Sequence, residues 1–218
     1  MNINHHPDDA TIMAYAAGAL GEGFSLVLAA HLEVCPRCRE RKAEAEAIGG
    51  QLLAALPDAS APPGGLAEVW DLIQSEPHES VPQAARATPP KGIPSVLAPY
   101  LRSELDAIHW RSLVPGIKQY VIEDVDSGNG SVRLLSIAPG VTIPTHSHGG
   151  GELTLVLRGS YVDEVGRFQS GDLADLDPSV QHQPVADTNE PCICLIATDE
   201  RLRFSGMFSR MLQPLIGI

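Results

Sequence analysis

The chain has 218 residues, enough for one large domain or two small ones. Its net charge of −12 and pI of about 5.0 argue against direct binding to nucleic acid, because contact with phosphates needs clustered Lys and Arg. The first nine residues lack the basic start and apolar run of a signal peptide, and the apolar run 24–30 is too short to span a bilayer. We therefore expect a cytoplasmic protein that does not bind membranes.

Residues 1–75 are predicted to form a helical domain, because Ala, Leu, Glu and Arg dominate and apolar residues recur with a helical period. The first predicted helix is capped by Asp8 and Asp9, and its apolar residues recur from Ile12 to Leu20. The other predicted helices cover about residues 24–35, 37–56 and 66–73. Gly21 and Gly23 are expected to end the first helix. Pro36 is expected to end the second and open the third, since proline is tolerated in a first helical turn.

The rest of the chain is predicted to be a linker followed by a β domain. Residues 76–94 contain five prolines among Ser, Gln, Ala and Gly, which is typical of an extended linker. From 95 to 198, short β-rich runs such as 131–137 alternate with turn residues and predict a β-sandwich or barrel of the jelly-roll type. The mildly apolar tail 199–218 is expected to pack on a domain or on a partner. The fold class expected is therefore a multidomain α and β protein.

A first group of metal-ligand residues lies in the helical domain. His31, Cys35 and Cys38 form the pattern H-x-x-x-C-x-x-C, and offsets of four and seven return to one face of a helix. Two thiolates and one imidazole need a fourth ligand, which His5 or His6 can supply, with His6 preferred. Such a Cys2His2 set suits tetrahedral zinc, whose binding can drive the folding of a small domain. The alternative is a redox-active cysteine pair beside an unrelated histidine.

A second group of metal-ligand residues lies in the β domain. His146 and His148 are two residues apart on a predicted strand and therefore project to the same face. Glu152 begins the next apolar strand, and His182 lies in what is predicted to be a neighbouring hairpin. Three imidazoles and one carboxylate suit zinc or another divalent transition metal such as iron, manganese or nickel. The alternative is a barrel that binds no metal.

Two further features have open interpretations. The apolar residues Leu66, Val69, Trp70 and Ile73 share one helix face, which either inserts into a partner's groove or packs within the helical bundle. Two cysteines, at 192 and 194, share one strand and are either core residues or thiols that respond to oxidation.

Both ligand patterns resemble known families. An N-terminal histidine followed by H-x-x-x-C-x-x-C is similar to the zinc-binding anti-sigma domain, whose four ligands match His6, His31, Cys35 and Cys38. The segment 139–159 reads P-G-x5-H-x-H-x3-E-x6-G and resembles the first cupin motif, which implies a double-stranded β-helix. The second cupin motif is matched more loosely, around His182.

Together the two halves resemble the ChrR-type anti-sigma factors over essentially the whole chain, including Ala-Tyr-Ala-Ala-Gly at 14–18 and the closing Ile-Gly-Ile. The resemblance implies a regulator rather than an enzyme. It would sequester a bacterial group IV (extracytoplasmic-function) sigma factor and release it on an oxidative signal, such as singlet oxygen, that is sensed through the cupin metal. Residues 1–75 carry ten acidic and four basic side chains, a net charge of −6, which suits a basic partner. The competing class is a metal-dependent cupin enzyme, a dioxygenase or isomerase, with an accessory zinc-binding helical domain.

Overall fold

The computed structural model describes residues 2–60, 64–75, 92–101 and 103–200, together with the backbone of 202–204. Helices come first along the chain: Asp9–Ala16 (α1), Glu22–Val34 (α2), Pro36–Ala54 (α3) and Gly65–Ser75 (α4), followed by short 3-10 helices at Ser95–Leu97 and Leu105–Ala107. The strands are Arg111–Val114 (β1), Ile117–Val121 (β2), Ser131–Ile137 (β3), His146–His148 (β4), Glu152–Arg158 (β5), Ser160–Val162 (β6), Arg167–Gln169 (β7), Leu173–Leu176 (β8), Val185–Ala186 (β9), Cys192–Thr198 (β10) and Leu202–Phe204 (β11).

The strands form three antiparallel sheets that confirm the predicted jelly-roll-like β domain. The largest sheet has the order β1-β2-β3-β10-β5-β8, and two smaller sheets have the orders β11-β4 and β7-β6-β9. Strand β10 lies between β3 and β5, pairing along its full length with β3 from Cys192↔Ile137 to Thr198↔Ser131. The predicted strand 131–137 agrees with β3 at both ends.

The helical prediction was right about the presence of four helices and wrong about where the first helix ends and the second begins. Helix α1 starts after Asp8, whose carboxylate accepts the N–H of Thr11 at 2.6 Å, and it ends at Ala16. The residue that supports the turn after α1 is Gly18, with a φ of +68°, because glycine adopts left-handed backbone without a steric penalty. Gly23, predicted to end the first helix, instead lies inside α2.

Helix α2 packs directly on the barrel. Its residues Val27 and Ala30 are fully buried and share one core with Leu134 of β3 and Leu195 of β10. Of the predicted linker, residues 76–91 lie outside the described part of the chain, whereas Ile93 is buried in this same core. The helices and the barrel are therefore joined by a common apolar core as well as by the chain between them.

Outside this core the helical part is thinly packed. None of the residues of α4 is buried. Of the predicted tail, residues 205–218 lie outside the described part of the chain, while β11 pairs with β4. Among the described helices, none combines the length and apolarity that crossing a bilayer requires.

The packing of α2 against the barrel can be tested at Gly23. A Cβ atom there would lie 2.7 Å from Cγ2 of Val132, whereas a Cβ atom at Gly49 of α3 would meet nothing within 4 Å. We expect Gly23→Leu to destabilise the protein by about 1–3 kcal/mol through overpacking. Gly49→Leu, the matched control, is expected to stabilise it slightly, since leucine favours a helix more than glycine does. Urea denaturation of both variants measures the difference, and equal stabilities would contradict the packing of α2 on β3.

Candidate metal centres

The four predicted ligands of the helical part lie together; we call them the helical cluster (His6, His31, Cys35 and Cys38). The Nδ1 atom of His6 lies 3.4 Å from Sγ of Cys35 and 3.3 Å from Sγ of Cys38, and Nε2 of His31 lies 3.3 Å from Sγ of Cys38. All four donor atoms are within 4.8 Å of one another. Tetrahedral zinc, with bonds of about 2.0–2.3 Å, separates neighbouring nitrogen and sulfur ligands by about 3.5 Å. The cluster therefore has the size of a closed four-ligand metal centre.

Local geometry explains how these residues converge. His31 and Cys38 belong to α2 and α3, and Cys35 sits at the junction, with an extended backbone that turns the chain into Pro36. The structure places His6 rather than His5 in the cluster. The ring of His5 points to the barrel instead, 4.2 Å from the ring of Phe168.

Hydrogen bonding fixes the protonation state of His31. Its Nδ1 lies 3.0 Å from the carbonyl oxygen of Gly171, which can only accept, so Nδ1 carries the proton and Nε2 presents a lone pair to the cluster. Burial lowers the pKa of His31 to about 4, which keeps this imidazole neutral near pH 7. Burial and the neighbouring Cys35 thiol raise the pKa of Cys38 to about 11. A metal ion that binds here therefore has to displace a thiol proton.

The second group converges inside the barrel; we call it the barrel cluster (His146, His148 and His182). Nε2 of His182 lies 3.1 Å from Nε2 of His146 and 3.3 Å from Nε2 of His148. Strand β4 carries the first two residues on one face, and a backbone bridge between His146 and His182 brings in the third. All three side chains are buried.

The protonation states in the barrel cluster favour a bound cation. Nδ1 of His146 donates to the carbonyl of Pro144 at 2.9 Å, and Nδ1 of His182 donates to Asp163 at 2.8 Å. Their Nε2 atoms therefore face each other as two lone pairs. Burial lowers the pKa of His146 and His148 to about 4, so a shared proton is disfavoured near pH 7. Three buried imidazoles whose donor atoms lie close together form a set that fits a divalent metal ion.

The structure does not bring the fourth predicted barrel ligand, Glu152, into the cluster. Among the described residues, the group with mutually close donor atoms contains only the three imidazoles. One oxygen of Glu152 lies 3.2 Å from Nδ1 of His148, too poorly aligned for a hydrogen bond. The other oxygen accepts from the hydroxyl of Thr154 at 2.9 Å. The carboxylate thus lies beside the cluster and is oriented by Thr154.

Asp163 is a site residue that the sequence analysis missed. Its side chain is 1% exposed, and one oxygen accepts the backbone N–H groups of Val165 and Gly166 at 2.9 and 3.1 Å. Burial alone would raise its pKa, but the hydrogen bonds from His182, Gly166 and Val165 lower the pKa overall. A charged carboxylate of this kind fixes the ring of a ligating histidine. No spacing pattern links Asp163 to residue 182, so this contact could not be predicted from the sequence.

The cysteine pair of β10 lies apart from both clusters. Cys192 and Cys194 are buried in the apolar core, with their sulfur atoms 3.6 Å apart and no disulfide between them. This agrees with the interpretation of both cysteines as core residues. Among the described residues, neither cysteine belongs to a group of potential metal ligands.

A barrel with a buried histidine cluster is the arrangement of a cupin, and comparison with known proteins agrees. Residues 101–200 match the family model described as the ChrR cupin-like domain. The chain is 40% identical to the anti-sigma-E factor ChrR of Cereibacter sphaeroides, with all 218 residues of this chain and the whole of that protein covered. The chain therefore belongs to the ChrR family of anti-sigma factors, which are regulators rather than enzymes.

A solved structure extends the likeness to three dimensions. The crystal structure of Rhodobacter sphaeroides SigE in complex with the anti-sigma ChrR contains a chain that is 39% identical to this one. The match has a TM-score of 0.75 and covers 90% of this chain and 100% of that chain. The predicted combination of a helical part with a cupin is thereby confirmed.

Proposed function

We propose that this chain sequesters an extracytoplasmic-function (group IV) sigma factor with its helical part and releases it when the cupin detects an oxidative signal, with singlet oxygen as the candidate. The observation that carries the proposal is the set of exposed large apolar side chains on α3 and on α4. The chain is similar over its full length to an anti-sigma-E factor and is also similar to a chain solved in complex with SigE. Both similarities support a sigma factor as the partner. A sigma factor acts on transcription in the cytoplasm, so we place this chain there as well.

This α3–α4 surface comprises the large apolar side chains that are more than half exposed on the two helices and the turn after α3: Ile48, Leu52, Leu53, Leu56, Leu66, Val69, Trp70, Leu72 and Ile73. α3 and the turn after it carry four of these side chains, and α4 carries five, none of them buried within the described chain. Exposed apolar sets of this kind mark surfaces that bind a partner. Amphipathic helices of this kind bind by laying their apolar face into a groove. The surrounding net charge of −6 in residues 1–75 complements the basic surfaces with which sigma factors contact promoter DNA.

We propose zinc for the helical cluster. Two thiolates and two imidazoles form the donor set of structural zinc, and four protein ligands leave no open coordination position. The metal would hold the start of the chain, α2 and α3 in the arrangement that the partner recognises. Three buried residues other than the cysteines, Ile12, Leu28 and Leu32, form the core beside the cluster, so metal binding would add a large share of local stability.

For the barrel cluster we propose zinc or another divalent transition metal, held by His146, His148 and His182, with Glu152 rotating in as a fourth ligand. Three imidazoles suit several such ions. A centre with fewer fixed protein ligands retains positions at which an oxidant or oxidised metabolite can act, which suits detection better than a closed centre does.

The α3–α4 surface gives a direct test. Trp70 is 56% exposed, and large aromatic side chains dominate the binding energy of interfaces. We expect Trp70→Ala to weaken sigma binding at least tenfold while the helical content stays unchanged, as measured by calorimetry with the purified sigma factor. Val165→Ala, at an exposed apolar position on the barrel, is the control and should bind normally. Normal binding by the Trp70 variant would remove α4 from the interface.

Separate variants of the two clusters test the division of roles. Cys35→Ser with Cys38→Ser should abolish metal binding at the helical cluster and capture of the sigma factor. His146→Ala with His148→Ala should preserve capture but block release under oxidative stress. Pull-down and a reporter controlled by the sigma factor measure the two outcomes. Intact capture in the first variant, or normal release in the second, would contradict the corresponding role.

Asp163 gives a finer test of the barrel cluster. Outer-shell carboxylates raise metal affinity by orienting a ligand, and their loss costs about 10–100-fold. We expect Asp163→Asn to lower metal affinity at the barrel by a factor in this range. Competition with a chromophoric chelator measures it, and the unrelated barrel variant Asp187→Asn should retain the wild-type value. If both variants matched the wild type, Asp163 would have no part in metal binding.

A further inference from the structure

The turn between β7 and β8 of the barrel touches the helical cluster. The carbonyl oxygen of Gly171 accepts the hydrogen bond from Nδ1 of His31 at 3.0 Å, and this contact is buried. The backbone of Gly171 has a φ of +93°, a conformation that favours glycine. One ligand of the helical cluster is thus oriented by an atom of the barrel, 140 residues away along the chain.

The next residue of the turn holds the segment that carries a second ligand. The carboxylate of Asp172 is fully buried and accepts the backbone N–H groups of Asn4 at 2.7 Å and His5 at 3.1 Å. The N–H of Leu173 in turn donates to the carbonyl of His5 at 3.2 Å. These bonds fix the backbone immediately before His6.

The position of this turn is set by the barrel itself. Gly171 donates its N–H to the carbonyl of Val156 in β5 at 2.8 Å, and the N–H of Val156 donates to the carbonyl of Asp172 at 3.0 Å. The second carboxylate oxygen of Asp172 accepts from the N–H of Gln169 at 2.9 Å. The turn therefore moves only if its neighbouring strands move.

We infer that the Gly171–Asp172 turn is the outer shell of the helical metal centre, with Asp172 as a positioning residue, so that the barrel sets how tightly the helical cluster holds its metal. The inference rests on the proposed function in one respect, that the helical cluster binds a metal through its thiolates. The carbonyl of Gly171 directs the lone pair of His31 at the metal, and Asp172 keeps His6 within reach of it. Loss of such outer-shell partners lowers metal affinity about 10–100-fold.

Cobalt(II) loading of the full chain tests the inference. Thiolate-to-cobalt charge-transfer absorption reports on the helical cluster alone, because the barrel cluster contains no cysteine. Titration of this absorption with a chelator gives the affinity. We expect Asp172→Ala to weaken it about tenfold or more. Asp172→Asn keeps one oxygen that can accept an N–H group, so it should fall between Asp172→Ala and the wild type.

Asp187→Asn is the matched control. Asp187 also lies in the barrel, where its carboxylate accepts from the hydroxyl of Ser160 and from Nε of Arg167, and it belongs to neither metal cluster. Its loss should leave the thiolate-to-cobalt affinity unchanged. Circular dichroism of each variant establishes that the barrel is folded, and Asp172→Asn decides the question if Asp172→Ala does not fold.

The outcomes separate the two proposals. No charge-transfer absorption in the wild-type protein would contradict the thiolate centre itself. Absorption with wild-type affinity in a folded Asp172 variant would overturn the inference while leaving the centre intact. An equal loss of affinity in Asp187→Asn would also overturn it, because the effect would then come from general weakening of the barrel.

Discussion

Helix α2 is buried on two sides, and the rest of the structure depends on that double burial. On one side Leu28 and Leu32 join the small core beside the helical cluster, and on the other Val27 and Ala30 enter the core of the barrel. Side chains one residue apart on a helix point in directions about 100° apart, so a single helix can serve two cores. Because the helical part buries few residues of its own, its stability comes from the barrel and the ligand cluster as much as from helix–helix packing.

The parts of the site that were predictable are those defined by local periodicity. The spacing of His146 and His148 places both side chains on one face of a strand by local geometry alone. The spacing of His31, Cys35 and Cys38 identified the ligands, but they converge because the chain turns at Cys35 between α2 and α3. Asp163, Gly171 and Asp172 act through contacts that span 19 to 168 residues, and no periodicity encodes such contacts. The sequence already favoured His6 over His5, and the structure adds a physical reason, since His5 packs on Phe168 of the barrel.

The error in the predicted helix boundary at Gly23 also comes from contacts between residues that are far apart in the sequence. Gly23 was predicted to break a helix because glycine has a low helix propensity, yet it lies within α2 where the helix approaches Val132 too closely for a side chain. Tertiary packing outweighed a local preference of about 1 kcal/mol. Glu152 shows the converse limit: the motif spacing locates the residue beside the barrel cluster, but the hydroxyl of Thr154 determines where its carboxylate points.

A pair of strands, β8 and β5, runs between the two clusters. Strand β8 begins beside Asp172, and its last residue, Leu176, pairs with Glu152 at the start of β5, next to His148. A shift of occupancy from 1:99 to 99:1 needs about 5.5 kcal/mol. Hydrogen bonds to a charged group contribute about 1.5–3 kcal/mol each, and Asp172 accepts two from the segment before His6. Displacement of the start of β8, and with it Asp172, would therefore change the free energy by about the amount that a two-state switch requires.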